Sequence, residues 1–258
     1  MANVRTQSDK GERKMFEYYF VFFGLLLICV IFAGSASARV HSTYRAQKET
    51  GTRSHATGYD TAVKLLRANG VKDISVGRVQ GELTDHYHPT KKRVNLSEGV
   101  YGSDSVAAVA ISAHEIGHVI QRKKGYIPYK IRAFLVPIAN IGSRLALPLV
   151  LVGLILDVFV ASTQHSDVGY YLALIGVAGY GLSTLFMLVT LPVEYDASRR
   201  AKRMLVKEGI LTEEELPYAE KMLSAAAMTY VASLLTSLVY FLRFAIWVLI
   251  LFGGRRRD

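Results

Sequence analysis

Apolar positions in this sequence gather into uninterrupted runs, separated by mixed segments where the pattern falls to helix and strand periods. The first run, Phe16–Ala38, is broken only by Glu17 and reaches the ~20 residues that a spanning helix needs. A second stretch, 134–161, contains Arg144, Pro137, Pro148 and Asp157, so its spanning part is expected at Leu145–Ala161. Val168–Leu191 has no charged residue and is the clearest span. With only Ser162–Asp167 between them, the second and third spans form a hairpin. The last helical pattern, Tyr218–Phe252, is apolar enough to span only from Ser233 to Phe252.

Between the first two runs, Arg39–Arg132 is polar and mixed, as a water-exposed domain would be. Helix signals cover Gly58–Asn69, closed by Asn69-Gly70 as a C-cap. Val71–Val79 and Arg93–Leu96 carry the β-branched alternation of short strands, with a His/Pro/Lys loop, Thr84–Lys92, between them. A further helix is expected from Ser103 as cap to a stop at Gly125 and Pro128, with Asp104 at the positive end of its dipole. After the third span, Pro192 suits the first turn of a new helix, Val193–Gly209, followed by an acidic turn at Glu213–Glu215.

The expected fold is therefore mainly α: a polytopic membrane protein of about four transmembrane helices with a small α+β, zincin-like catalytic domain. Its organisation reads as a basic tail (1–15), spanning helix 1 (16–38), the water-exposed domain (39–132), the helix 2 region (134–161), helix 3 (168–191), a charged helix with an amphipathic successor (193–232), and helix 4 (233–252). Helix 1 reads as a retained anchor. A cleaved signal peptide is its rival, with Arg5, Lys10, Arg13 and Lys14 as basic flank and Ala36-Ser37-Ala38 as cleavage site, but the run exceeds a usual signal core.

Composition sharpens this picture. Hydrophobic residues make up 51% of the chain, while the net charge of +10 comes from Lys and Arg flanking the apolar runs. That placement suits anionic lipid head groups and argues against nucleic acid as a partner. The single cysteine, Cys29, lies in an apolar run, which excludes an intrachain disulfide and a multi-cysteine metal cluster.

The candidate chemistry lies in His114-Glu115-Ile116-Gly117-His118. On a helix, positions i and i+4 share a face and present two imidazoles to one zinc ion, and Glu115 then addresses a water that the metal activates. Peptide hydrolysis needs this set: an acidified water, a polarised carbonyl, and a carboxylate that moves the proton to the leaving amine. Two unrelated surface histidines are the bland alternative. Ala107, Ala108, Ala110 and Ala113 keep the helix slim. A third protein ligand must be His, Asp or Glu, and Glu194 is the choice because two membrane crossings after His118 return the chain to the same side. Asp196 is the candidate partner orienting a ligand imidazole. Asn95 is a candidate for holding an extended substrate by strand addition, against the plain reading of an edge strand. Tyr195, His86, Tyr230 and Arg199 stay open as oxyanion donors. Arg144 and Arg243 are costly in lipid unless they snorkel or face a bundle.

HEIGHVIQ, the upstream LTDHYHP, RVNLS followed by SVAAVAISAHE, LPVEYDASRRA and the late AAAMTYVAS together resemble the YugP-like family of bacterial membrane zinc metallopeptidases, over most of Val71–Val239. The resemblance implies zinc-dependent peptidase activity in a bacterial inner membrane, with Glu194 as third ligand. More distantly the chain is similar to integral-membrane gluzincins, which place an aspartate four residues after the ligand glutamate; here that place is Ser198. His88 stands where the family pattern has aspartate and receives no role.

The expected partners are a polypeptide substrate, membrane proteins among the candidates, and the lipid bilayer. A transporter subunit would need paired ionisable residues within its spans, and a silent zinc scaffold would have no use for Glu115. Orientation follows from charge: Arg122, Lys123, Lys124, Lys130, Arg132, Arg199, Arg200, Lys202 and Arg203 flank the hairpin on the catalytic side, placing it in the cytoplasm. The basic N-tail and Arg255–Arg257 oppose that assignment.

Overall fold

The computed structural model describes residues 2–139, 141, 144 and 168–253. In chain order the elements are α1 (Ala2–Lys48), α2 (Gly58–Ala68), β1 (Ser75–Val79), β2 (His86–His88), β3 (Arg93–Ser97), α3 (Glu98–Tyr101), α4 (Val106–Lys123), α5 (residues 127–139), α6 (Val168–Lys207) and α7 (Leu216–Gly253). The fold is mainly helical with one small sheet. Among the described residues three helices are long and apolar enough to cross a membrane, in Phe20–Lys48, Gly169–Lys207 and Leu216–Leu249. The expected second span, Leu145–Ala161, lies outside the described residues.

The chain divides into two compact units. Unit 1 comprises Met1–Gly34, Leu135–Met187 and Ala232–Asp258; its packed cluster joins Ala173 and Val177 of α6 to Val248 of α7, with Phe241, Phe244 and Trp247 against them. Thr184 and Ser237 add a hydroxyl pair at 2.9 Å between these helices.

Unit 2, Ser35–Phe134 with Leu188–Val231, holds the larger core. α2 begins in a reciprocal capping box: Asp60 N donates to Thr57 Oγ1, and Thr57 N to the Asp60 carboxylate. It ends at Gly70, whose φ of +64° is the left-handed conformation that a helix stop favours. Leu65 and Leu66 face α4, whose alanines 107, 108, 110 and 113 are fully buried. Ser112 ties the two together by donating to Gly58 O at 2.6 Å. The sheet has order β1-β3-β2, with β1 parallel and β2 antiparallel to β3. Val94 and Leu96 point from β3 into the core and are fully buried.

Four expectations change. β1 covers only Ser75–Val79, because Val71 is spent on the α2 stop, where its N–H donates to Leu66 O. The expected Thr84–Lys92 loop contains β2, whose three residues are held by pairing with β3. The α4 cap is Ser105, which accepts from Ala108 N, while Ser103 donates to the Ser105 hydroxyl. Pro192 does not open a new helix: α6 runs through it from Val168 to Lys207, the proline giving up one helix hydrogen bond while its fixed φ stays helical.

Candidate metal centre

The site is built in unit 2 from α4 and α6. Gly117, inside the HEIGH motif, faces the α6 backbone so closely that a Cβ there would lie 2.6 Å from Ala197 O. The glycine is thus a packing requirement, and the contact carries α6 within side-chain reach of both histidines. His114 Nε2 lies 3.1 Å and His118 Nε2 3.4 Å from the same Glu194 oxygen, Oε2. The other oxygen, Oε1, is 3.0 Å from the Arg132 guanidinium of α5. Among the described residues, His114, His118 and Glu194 form the one group of three side chains placed to hold a metal ion, their ligand atoms within 4.8 Å of one another.

Glu194 is 1% exposed. A carboxylate so buried must be matched by positive partners, and two imidazoles plus one guanidinium supply fewer permanent charges than a dication would. The donor set is two nitrogens and one oxygen with no thiolate, which fits zinc.

Each imidazole is held from behind. His114 Nδ1 lies 3.1 Å from Ser198 Oγ, the position where the distant gluzincins carry aspartate. His118 Nδ1 lies 3.0 Å from Gln121 Oε1. Gln121 in turn donates to Val193 O at 2.7 Å and to Asp196 Oδ2 at 3.0 Å. Asp196 therefore touches no imidazole; it meets Gln121, Arg200 Nε at 2.6 Å and Arg199 at 3.3 Å.

Glu115 is 8% exposed and opens onto a groove of about 240 Å³ that it shares with His114 and Tyr230. The apolar walls include Val40, Leu83, Ile111 and Met222, and Asp85 and His41 supply polar points. Asp85 accepts from Ser97 N at 2.7 Å and Ser97 Oγ at 2.9 Å. Burial pushes its carboxyl up, the two Ser97 hydrogen bonds pull against this, and the Glu115 charge adds to the rise.

Of the four open oxyanion donors, only Tyr230 lines this groove, with its hydroxyl in hydrogen-bonding reach of Glu194. Tyr195 is 47% exposed, Arg199 is engaged with Asp196, and His86 meets Thr84 O and Asn95. Asn95 sits on the middle strand, opposite Gly77 on one side and His86 on the other. Both edges of β3 are occupied, so a substrate strand cannot add beside Asn95, and the edge-strand alternative falls with it. Gln121, Arg132 and Asp85 received no role at the site from the sequence, because each is a single polar residue whose part there depends on a partner distant in the chain.

A family described as "putative neutral zinc metallopeptidase" matches residues 21–249. The "Putative membrane protease YugP" of Bacillus subtilis is 37% identical over 223 residues, covering 86% of this chain and 93% of its own. No solved structure matches.

Proposed function

We propose, since the chain belongs to the family of neutral zinc metallopeptidases, that it is a membrane-embedded zinc endopeptidase with Glu115 as general base and His114, His118 and Glu194 as ligands. Zinc is the metal that this family and this donor set share. The observation that carries the reading is the convergence of two imidazole nitrogens on one buried carboxylate oxygen beside Glu115.

When bound, zinc lowers the pKa of a water to about 7 and polarises the scissile carbonyl. Glu115 takes the proton of the attacking water and returns it to the leaving amine. Tyr230 is the candidate donor to the oxygen on which charge develops. Arg132 holds one Glu194 oxygen away from the imidazoles, leaving the other to face them. The apolar walls receive substrate side chains and reduce water in the groove, which strengthens these charge interactions.

The substrates in this reading are polypeptides, membrane proteins among them, and the enzyme sits as a multi-pass protein in a bacterial inner membrane with its catalytic face in the cytoplasm. The Bacillus relative, named "Putative membrane protease YugP", supports the polypeptide substrate and the membrane setting. A silent zinc scaffold is the competing reading. Glu115→Gln separates them: turnover of a casein or membrane-protein substrate should fall roughly 100- to 10,000-fold with zinc content unchanged. Full turnover by this variant would defeat the assignment.

A further inference from the structure

We propose that Gln121 is a positioning residue that fixes the tautomer and the orientation of His118 for metal binding. The inference rests on His118 being a ligand, as proposed above.

The argument begins with the two ends of an amide. The Gln121 side chain is fully buried, and its nitrogen lies 2.7 Å from Val193 O and 3.0 Å from Asp196 Oδ2. Both neighbours are acceptors, so both amide protons are committed and the amide can face only one way. Its oxygen is then left toward His118 Nδ1 at 3.0 Å, and an oxygen can only accept. His118 must therefore carry its proton on Nδ1. In the neutral imidazole that binds a metal, Nε2 then keeps the lone pair, and Nε2 is the atom 3.4 Å from Glu194 Oε2, inside the ligand cluster.

The chain of constraint extends one step further. Asp196 is itself held by Arg200 at 2.6 Å and Arg199 at 3.3 Å, so the carboxylate that fixes the amide is fixed in turn. The two ligand histidines consequently differ. His114 Nδ1 meets the hydroxyl of Ser198, which can donate or accept, so that contact leaves the tautomer free. His118 has no such freedom. Because Gln121 is three residues beyond His118 on α4 while Val193 and Asp196 are on α6, the same amide also aligns the two helices that carry the ligands.

The experiment measures zinc affinity of full-length protein in detergent by chelator competition, for wild type, Gln121→Met, Gln121→Glu, Asp196→Ala and His118→Ala. Gln121→Met keeps the volume and loses every hydrogen bond, and should weaken zinc about 10- to 100-fold. Gln121→Glu keeps an acceptor for His118 Nδ1–H while facing Asp196 with a like charge. It should hold zinc within about threefold of wild type although the metal-free protein melts earlier. Asp196→Ala leaves Gln121 in place but frees its amide to turn, and should weaken zinc severalfold, which keeps the test open if Gln121→Met does not fold. In protein labelled with nitrogen-15 at histidine and loaded with zinc, the Nδ1–H signal of His118, identified by its absence in His118→Ala, should persist in Gln121→Glu and broaden in Gln121→Met. Wild-type zinc affinity in Gln121→Met, or equal weakness in the Glu and Met variants, overturns the inference and leaves Gln121 as a helix fastener. Should His118→Ala itself retain zinc, the ligand assignment fails instead.

Discussion

Gly117 and Ala197 meet backbone to backbone, with room for no side chain: a Cβ on residue 117 would stand 2.6 Å from the Ala197 carbonyl oxygen and 3.1 Å from its Cα. These are helix backbone atoms, which cannot swing aside as a flexible side chain can. Gly117→Ala should therefore push α6 outward and carry Glu194, three residues before Ala197, away from both imidazoles. Overpacking of this kind costs about 1–3 kcal/mol. The expected outcome is a lower melting temperature together with weaker zinc binding, read by thermal unfolding and chelator competition. A variant that binds zinc as tightly as wild type would show that the helices do not need this contact to set the site.

Glu215 offers a pH test outside the metal centre. Thr212-Glu213-Glu214-Glu215 forms a capping arrangement: Thr212 N donates to Glu215 Oε2 at 2.8 Å, Glu215 N to Thr212 Oγ1 at 3.3 Å, and Arg53 N to Glu215 Oε1 at 2.7 Å. Burial alone would raise this carboxyl, but the backbone donors of Thr212 and Arg53 outweigh it and hold the pKa below the usual glutamate value. A lowered folded-state pKa contributes stability that is complete above the unfolded value of about 4.3 and is lost as pH falls through the folded one. Glu215→Ala should cost about 1–3 kcal/mol at neutral pH. The melting difference between wild type and variant, measured on chelated protein, should shrink below about pH 4. A difference that stays constant down to pH 3 would refute the capping role.

How much of this was legible in the sequence depended on the range of the cause. The α4 helix and its paired histidines follow from local spacing, and Asn69-Gly70 announces the α2 stop. Glu194 could be set beside the histidines because the two apolar runs after His118 return the chain to the same side. β2 was not, because His86–His88 has no alternation of its own and is a strand only through β3. Pro192 misled because proline at a helix start and proline within a long helix look alike in sequence. Arg132 was counted as a flanking charge for orientation, yet it contacts the most buried carboxylate of the site. Gln121 carries no period and no charge, and its meaning appears only when α6 is beside it.

Orientation is testable without further structure. In a Cys29→Ala background, Ser166→Cys should react with an impermeant thiol reagent applied to intact cells, and Ser54→Cys, on the catalytic unit, should react only after lysis. The reverse pattern would place catalysis outside the cytoplasm and give the basic N-tail and Arg255–Arg257 the deciding weight.

The assignment of Glu194 turns a five-residue motif into a three-dimensional site, and its surroundings separate two explanations of its burial. As a ligand, it offers Oε2 to the metal while Arg132 holds Oε1. As a mere ion-pair partner, it would serve only to neutralise Arg132 and the histidines. Glu194→Ala is ambiguous, because it also leaves Arg132 without its counter-charge. Glu194→Gln is cleaner: it keeps the shape, loses the charge, and should reduce zinc binding and turnover to a small residual level. Arg132→Met is the companion variant. It frees Oε1 without removing the ligand, and should weaken zinc about 10- to 100-fold while binding remains measurable. In the pairing explanation the ranking reverses, since removing Arg132 would matter to stability and Glu194→Gln would leave zinc held by the two histidines at near wild-type affinity. X-ray absorption on the zinc-loaded protein adds an independent check: an all nitrogen/oxygen shell should be seen in wild type, with fewer protein scatterers in Glu194→Gln. An unchanged shell in that variant, together with unchanged affinity, would mean that another carboxylate completes the site.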